Sequence, residues 1–275
     1  MFKYVLLNGD FIEYEKAVVP ISDLAIQRGY GIFDFFRIEE GKFIFSEYYL
    51  DRFYKSMKRS GFDFPYYRED VHNMVISLVQ KNEAPNSYIK LIVTGGNSPN
   101  GFLPNEKPNF MIINHKINLW DNKLFSEGAN LISDEYMRPF PTVKSINYFN
   151  AVKLSPKMKK YDAVDVLYHF NNKVHETSRA NVFMVKNKKI YTPKKEILEG
   201  ITRKRFIKAA KSEFNLSYKS FSLKKLLKAD EVFITSTTKD VMPIVKIDKH
   251  VIGNGKTGKV CKKLIKLFNR KEFQI

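Results

Sequence analysis

A single cysteine, Cys261, occurs in 275 residues, so no internal disulfide can form and a reducing compartment is expected. There is no run of about 18 uncharged apolar residues, which removes any expectation of a membrane span. The opening "MFKYVLLNGDFIEYEKAVV" reaches acidic residues too early for a signal peptide, and a cytoplasmic protein is expected. Only five histidines are present, none in H-x-x-x-H spacing or beside the cysteine, so no metal site is expected. A Walker loop is missing too, and the glycines of "RGYGIF" enter a strand where a dinucleotide fingerprint would enter a helix.

Acidic residues are scarce: 29 stand against 47 basic ones, for a net charge of +18. Such an excess permits nucleic-acid binding, the non-enzymatic alternative. The lysines are spread along the chain, however, with no zinc-finger spacing and no RNP-type aromatic motif. No nucleic-acid partner is therefore expected.

What is present is a globular composition, 44% apolar and 14% aromatic, of a length that suits two domains. Strand pairs are expected around Asn8-Gly9 and Glu40-Gly41, then helices over Glu47–Ser60 and "REDVHNMVISLVQKNEA". "SYIKLIVTGG" and "PNFMIINHKI" complete a small α+β domain, residues 1–118. In 119–275, strands "GANLISDEY", "AVDVLYHF", "KVHET", "ANVFMVKN", "KIYTP" and "EVFITS" accompany helices at Tyr148–Tyr161, after Gly200 and after Thr257. A crevice between two packed halves is the default place for a site.

Three segments could carry chemistry. "ILEGITRKRF" turns at Gly200 and opens a helix at Ile201 and Thr202, where unpaired N–H groups suit a phosphate, although any loop followed by a helix would look alike. "FITSTTKD" ends a strand in four hydroxyl residues that could cap a turn or donate to a phosphate. "HETSRANVF" puts Glu176 on a strand beside small polar residues and Asn181.

In this order the segments resemble the fold-type IV pyridoxal-phosphate enzymes, the class IV aminotransferase family. The matching motifs are Lys144-Ser145-Ile146-Asn147, Glu176 to Phe183, Leu198 to Arg203, and Thr235 to Thr238 with Pro243-Ile244. "RGYGIFDFFRIEEGKFIF" and "YLDRFYKS" match the family's first strand pair and helix. The resemblance implies a small N-terminal domain, a larger pseudo-barrel domain, pyridoxal phosphate as cofactor and a homodimer whose second subunit completes the site. It further implies that Lys144 supplies the amine that binds the cofactor and shuttles a proton. Glu176 would pair with the pyridinium nitrogen. Arg52, the backbone at Gly200, Ile201 and Thr202, and the Ser236/Thr237 group would hold the phosphate. Tyr148 and Leu198 would line the ring.

For the substrate, the resemblance points to an amino acid and a 2-oxo acid, with 2-oxoglutarate as partner in a ping-pong cycle. Phe33 stands where the D-amino-acid enzymes have tyrosine, and Gly95 where their loop arginine would stand. Tyr88-Ile89-Lys90 is similar to the branched-chain enzymes' Y-I-R, although lysine cannot copy a bidentate arginine contact. Arg37 is a further cation that could meet a substrate carboxylate. The expectation is a transaminase of branched-chain or other hydrophobic L-amino acids; a D-amino-acid aminotransferase and an aminodeoxychorismate lyase are the alternatives. Phe33 and Phe35 are expected on one strand face.

Overall fold

The computed structural model describes residues 1–104 and 107–268. The chain divides into two compact units, Met1–Asn118 with Val143–Asn147, and Leu119–Thr142 with Tyr148 onwards. Among the described residues no helix is long and apolar enough to cross a membrane.

In the first unit the elements run β1 (Tyr4–Leu7), β2 (Asp10–Glu13), α1 (Leu24–Arg28), β3 (Gly31–Glu39), β4 (Lys42–Phe43), α2 (Ser46–Ser60), α3 (Arg68–Lys81), β5 (Ser87–Thr94) and β6 (Asn109–His115). The strands form one antiparallel sheet in the order β2-β1-β6-β5-β3-β4. Strand β3 alternates cleanly. Ile32, Asp34, Phe36 and Ile38 are buried, while Phe33, Phe35 and Arg37 share the other, half-buried face, as the period-2 pattern predicts. On the buried side Phe36 stacks on Phe43 with ring centroids 3.7 Å apart, and Phe53 of α2 meets Phe110 of β6. Helix α2 stops at Gly61, whose φ of +73° is the left-handed conformation that closes a helix.

The second unit contains α4 (Lys123–Ser126), β7 (Ala129–Glu135), α5 (Phe149–Lys153), α6 (Ser155–Lys160), β8 (Ala163–Phe170), β9 (Lys173–Thr177), β10 (Asn181–Lys186), β11 (Lys189–Thr192), α7 (Ile201–Ala210), β12 (Leu216–Tyr218), α8 (Leu223–Leu227), β13 (Glu231–Ser236), β14 (Asp240–Ile247), β15 (His250–Val251) and α9 (Lys259–Phe268). Its sheet runs β12-β11-β10-β13-β14-β7-β8-β9, with β15 on β14. Strands β9 and β10 are far apart in that order yet joined by a three-residue turn, closed by Thr177 N donating to Ala180 O at 2.8 Å. The sheet must curl to bring them together, which makes the pseudo-barrel.

Strands β10 and β13 are apolar on both faces because both are covered. Val182, Met184, Val232 and Ile234 pack with Leu226 of α8, whereas Phe183, Val185 and Phe233 pack with Phe206 of α7 and Leu264 of α9. Two expectations change. The helix expected over Tyr148–Tyr161 is two short ones, because Pro156 in the first turn of α6 cannot donate to a preceding carbonyl. Strand β14, with Pro243 opposite Phe233, and the short β12 and α8 carry no clear period of their own and were not expected.

Candidate active site

Lys144 is pinned by its backbone in the first unit. Phe33 N donates to Lys144 O (2.9 Å) and Ile146 N to Gly31 O (3.0 Å), so residues 144–146 run against the edge of β3. Lys144 Nζ lies 4.5 Å from the Phe33 ring centroid. Lys90 Nζ lies 5.2 Å from the same ring. Burial lowers the pKa of the Lys90 amine; burial, and then the Lys90 charge, lower that of the His115 imidazole.

Arg52 on α2 is oriented by Asp34, a partner the sequence reading missed. Its Nε donates to Asp34 Oδ2 at 2.9 Å and its Nη2 to Oδ1 at 2.6 Å, with Asp34 wholly buried. That edge of the guanidinium fork is committed to Asp34. Arg37 lies with Phe33 and Phe35 on β3 but forms a 3.1 Å ion pair with Glu39. Gly95 is buried, and a Cβ there would stand 2.6 Å from Tyr30 Cδ1 and 2.9 Å from Leu24 Cβ, so it offers a substrate only backbone.

In the second unit Glu176, near the end of β9, is buried and hydrogen-bonded at both carboxylate oxygens. Arg138 donates to Oε1 from Nε and Nη2, while Leu198 N donates to Oε2 at 3.0 Å and Asn181 Nδ2 at 3.4 Å. Arg138 is a second residue the sequence reading missed: "EYMRPF" has no period, and its partner lies 38 residues away. Glu176 therefore has its counter-ion within the protein and does not depend on a cofactor for one. Burial works against the Arg138 charge, but the Glu176 carboxylate more than offsets it and raises the guanidinium pKa. Burial pushes the Tyr148 phenol up to about 12.

Gly200 precedes α7 because nothing larger fits: a Cβ would lie 2.1 Å from Asn181 Oδ1. Asn181 in turn donates to Leu198 O at 2.9 Å, which ties the loop before α7 to Glu176. The first turn of α7, at Ile201 and Thr202, has no side-chain cap, an arrangement that suits an anion. At the end of β13, Thr235 Oγ1 and Ser236 Oγ are buried with no hydrogen-bond partner among the described residues. Buried hydroxyls in that condition suit an anion that can accept from them.

The family model for amino-transferase class IV matches residues 31–247. A Methanocaldococcus jannaschii protein named "Putative branched-chain-amino-acid aminotransferase" is 33% identical, over 96% of this chain and 94% of its own length. A Listeria monocytogenes D-alanine aminotransferase is 30% identical, over 96% of this chain and 94% of its own. Among solved structures, a branched-chain amino acid aminotransferase from T.th. with pyridoxamine 5'-phosphate superposes with a TM-score of 0.90 at 25% identity, covering 99% of this chain and 97% of its own. The chain belongs to the class IV aminotransferase family and is a pyridoxal-phosphate-dependent aminotransferase of fold type IV. Each unit by itself supplies residue types that this cofactor takes: the first a lysine, Lys144, and the second a buried and paired carboxylate, a helix start without a side-chain cap, and two buried hydroxyls unpartnered among the described residues.

Proposed function

We propose that the protein moves an amino group between a branched-chain or other hydrophobic L-amino acid and 2-oxoglutarate in a ping-pong cycle. The observation that carries the reading is the apolar face beside Lys144. Phe33 stands opposite Ile92, and Ile92 opposite Met111, while Gly95 bears no side chain with which to hold a carboxylate. Two solved complexes of the T.th. branched-chain enzyme support both half-reactions, since one holds N-(5'-phosphopyridoxyl)-L-glutamate and the other 4-methylvaleric acid.

Bound pyridoxal phosphate supplies an electron-accepting ring conjugated to the substrate nitrogen. Lys144 Nζ holds the cofactor and, once displaced, moves the proton taken from the substrate α-carbon. Glu176, oriented by Arg138, accepts the N–H of the ring nitrogen. Arg52, Ile201, Thr202, Ser236 and Thr237 bind the phosphate, and Tyr148 and Leu198 line the ring. The phenol of Tyr148 stays protonated at neutral pH and can donate. Lys90 and Arg37 are the cations available to a substrate carboxylate.

We place the protein in the cytoplasm as a homodimer. Val18, Ile21 and Ile26 are exposed, as are Phe102 and Leu103, and the two segments are joined by Ser98 N donating to Ser22 O at 3.0 Å. Exposed apolar side chains on adjoining segments suit burial against a second copy. The second reading, a D-amino-acid aminotransferase, is favoured by the Listeria and staphylococcal relatives of that name.

The test is a donor panel of L-Leu, L-Val, L-Ile, D-Ala, D-Glu and aminodeoxychorismate, with and without 2-oxoglutarate. Turnover of the branched L-amino acids only with 2-oxoglutarate is expected. Faster turnover of D-Ala than of L-Leu overturns the substrate assignment, and pyruvate release from aminodeoxychorismate without an acceptor indicates a lyase.

A further inference from the structure

The turn between β13 and β14 holds Ser236 and Thr237, and it is closed by Lys239, whose N donates to Ser236 O at 3.3 Å. The Lys239 side chain turns inward: it is 1% exposed and crosses the face of Trp120 at 4.9 Å from the ring centroid. Its amine ends 3.5 Å from Oδ2 of Asp165 on β8, itself 0% exposed. Arg179 Nε lies 3.5 Å from the same oxygen, while Ser178 Oγ donates to Oδ1. Both cations are in charge contact with Oδ2 rather than in hydrogen-bond geometry. Ser178 and Arg179 belong to the turn that follows Glu176. One carboxylate thus ties the hydroxyl-rich turn to the turn next to the residue that faces the ring nitrogen.

A buried amine is costly, and burial lowers the Lys239 pKa against the pull of Asp165. Two cations on one carboxylate also leave this cluster with a net positive charge, and it is joined through the Lys239 backbone to the turn after β13, where the Thr235 and Ser236 hydroxyls are buried without a partner among the described residues. Neither arrangement is needed to hold the sheet, because β13 and β14 are already paired from Val232↔Ile244 to Ser236↔Asp240.

We propose that Lys239 and Asp165 are a positioning pair for the cofactor phosphate: they set the Ser236/Thr237 turn at a fixed place relative to Glu176 and bias it towards a phosphate monoester dianion. The proposal rests on assigning that turn to the phosphate.

The experiment compares dissociation constants of the apoprotein for pyridoxal 5'-phosphate and for pyridoxal, which lacks the phosphate, alongside the thermal midpoint of the apoprotein. In Lys239→Met the phosphate ester is expected to bind about tenfold more weakly, with pyridoxal affinity unchanged. Lys239→Arg, which keeps the charge, should restore most of the difference. If Lys239→Met does not fold, Lys239→Gln, which keeps a donor, takes its place. Equal weakening of both ligands, or of neither, overturns the proposal. Two controls separate its failure from that of its premises. Wild-type protein that binds neither ligand sinks the cofactor assignment, and Ser236→Ala/Thr237→Ala with an unchanged preference for the phosphate ester sinks the assignment of the turn.

Discussion

Arg138 donates from Nε at 3.0 Å and Nη2 at 2.7 Å to one oxygen, Oε1 of Glu176, and both side chains are buried. Removing one partner leaves the other as an unpaired buried charge. Arg138→Met should lower the unfolding free energy by about 3–5 kcal/mol, measured by urea denaturation of the apoprotein. In Arg138→Met/Glu176→Gln, where no charge is stranded, the loss should be smaller than the sum of the single losses. Additive losses would show that the pair is not coupled. Because the guanidinium pKa is raised, its contribution is complete below the ordinary arginine value and is lost only above it, so the pair should not weaken across the neutral range.

The borohydride reaction checks Lys144. Wild-type protein with bound cofactor should be yellow, and reduction should leave the pyridoxyl group on a peptide containing residue 144. Lys144→Ala should lose the adduct and all turnover while keeping its fold by circular dichroism. An adduct on another lysine would move the catalytic amine elsewhere.

His115 gives a pH signature. Its imidazole pKa is depressed, mainly by burial and further by Lys90, so its neutral form is the stable one in the folded protein. That contribution is present above about pH 6.5, the unfolded value, and is lost as the pH falls through the folded value. The C2 proton of His115 should titrate below the value for a free imidazole, and in Lys90→Met the midpoint should rise. An unmoved midpoint would show that the Lys90 charge does not reach it.

Gly200→Ala tests the close approach at the start of α7. Its Cβ would have to displace Asn181, which holds the carbonyl of Leu198 and lies within 3.4 Å of Glu176 Oε2. The expected cost is about 1–3 kcal/mol, together with weaker cofactor binding. Once Asn181→Ala has removed the obstacle, adding Gly200→Ala should cost little more, and a full additional loss would contradict the steric explanation.

The sequence made some of this legible and not the rest. Strand β3 was readable because "GIFDFFRIE" alternates over nine residues, and the two faces that alternation predicts are those found. The segments around Lys144, Glu176, Gly200 and Ser236 are ordinary one by one, and they stood out only because their order resembles the class IV aminotransferase family. Arg138, Asp34 and Lys239 were not, because each matters only through a partner brought up by the fold: Arg138 with Glu176, Asp34 with Arg52, Lys239 with Asp165. A lone charge in a lysine-rich chain looks solvated until its burial is known. Strand β14 was hidden for a related reason, since Pro243 and Lys246 break its pattern and its pairing with β13 and β7 supplies the missing order.

Gly95 carries the last prediction, which concerns substrate choice. The resemblance to the D-amino-acid aminotransferases implies an arginine at this loop position to hold the substrate carboxylate, so Gly95→Arg is the obvious graft. The structure argues against it. A Cβ at this position already collides with Tyr30 and Leu24, and Tyr30 is held by its stack on Phe62, 4.6 Å between centroids, and by its hydroxyl donating to Ser60 O at 2.5 Å. The backbone cannot move away easily either, because Gly95 N donates to Tyr30 O at 3.1 Å. Gly95→Arg should therefore lower the thermal midpoint by several degrees, as expected for about 1–3 kcal/mol of overpacking, without raising the rate with D-Ala. Gly95→Ala should show most of the same stability loss, because the obstacle is met at Cβ and not at the guanidinium. A stable Gly95→Arg protein with increased D-Ala turnover would mean that the loop can rearrange to present a carboxylate ligand, and it would favour the D-amino-acid reading over the branched-chain one.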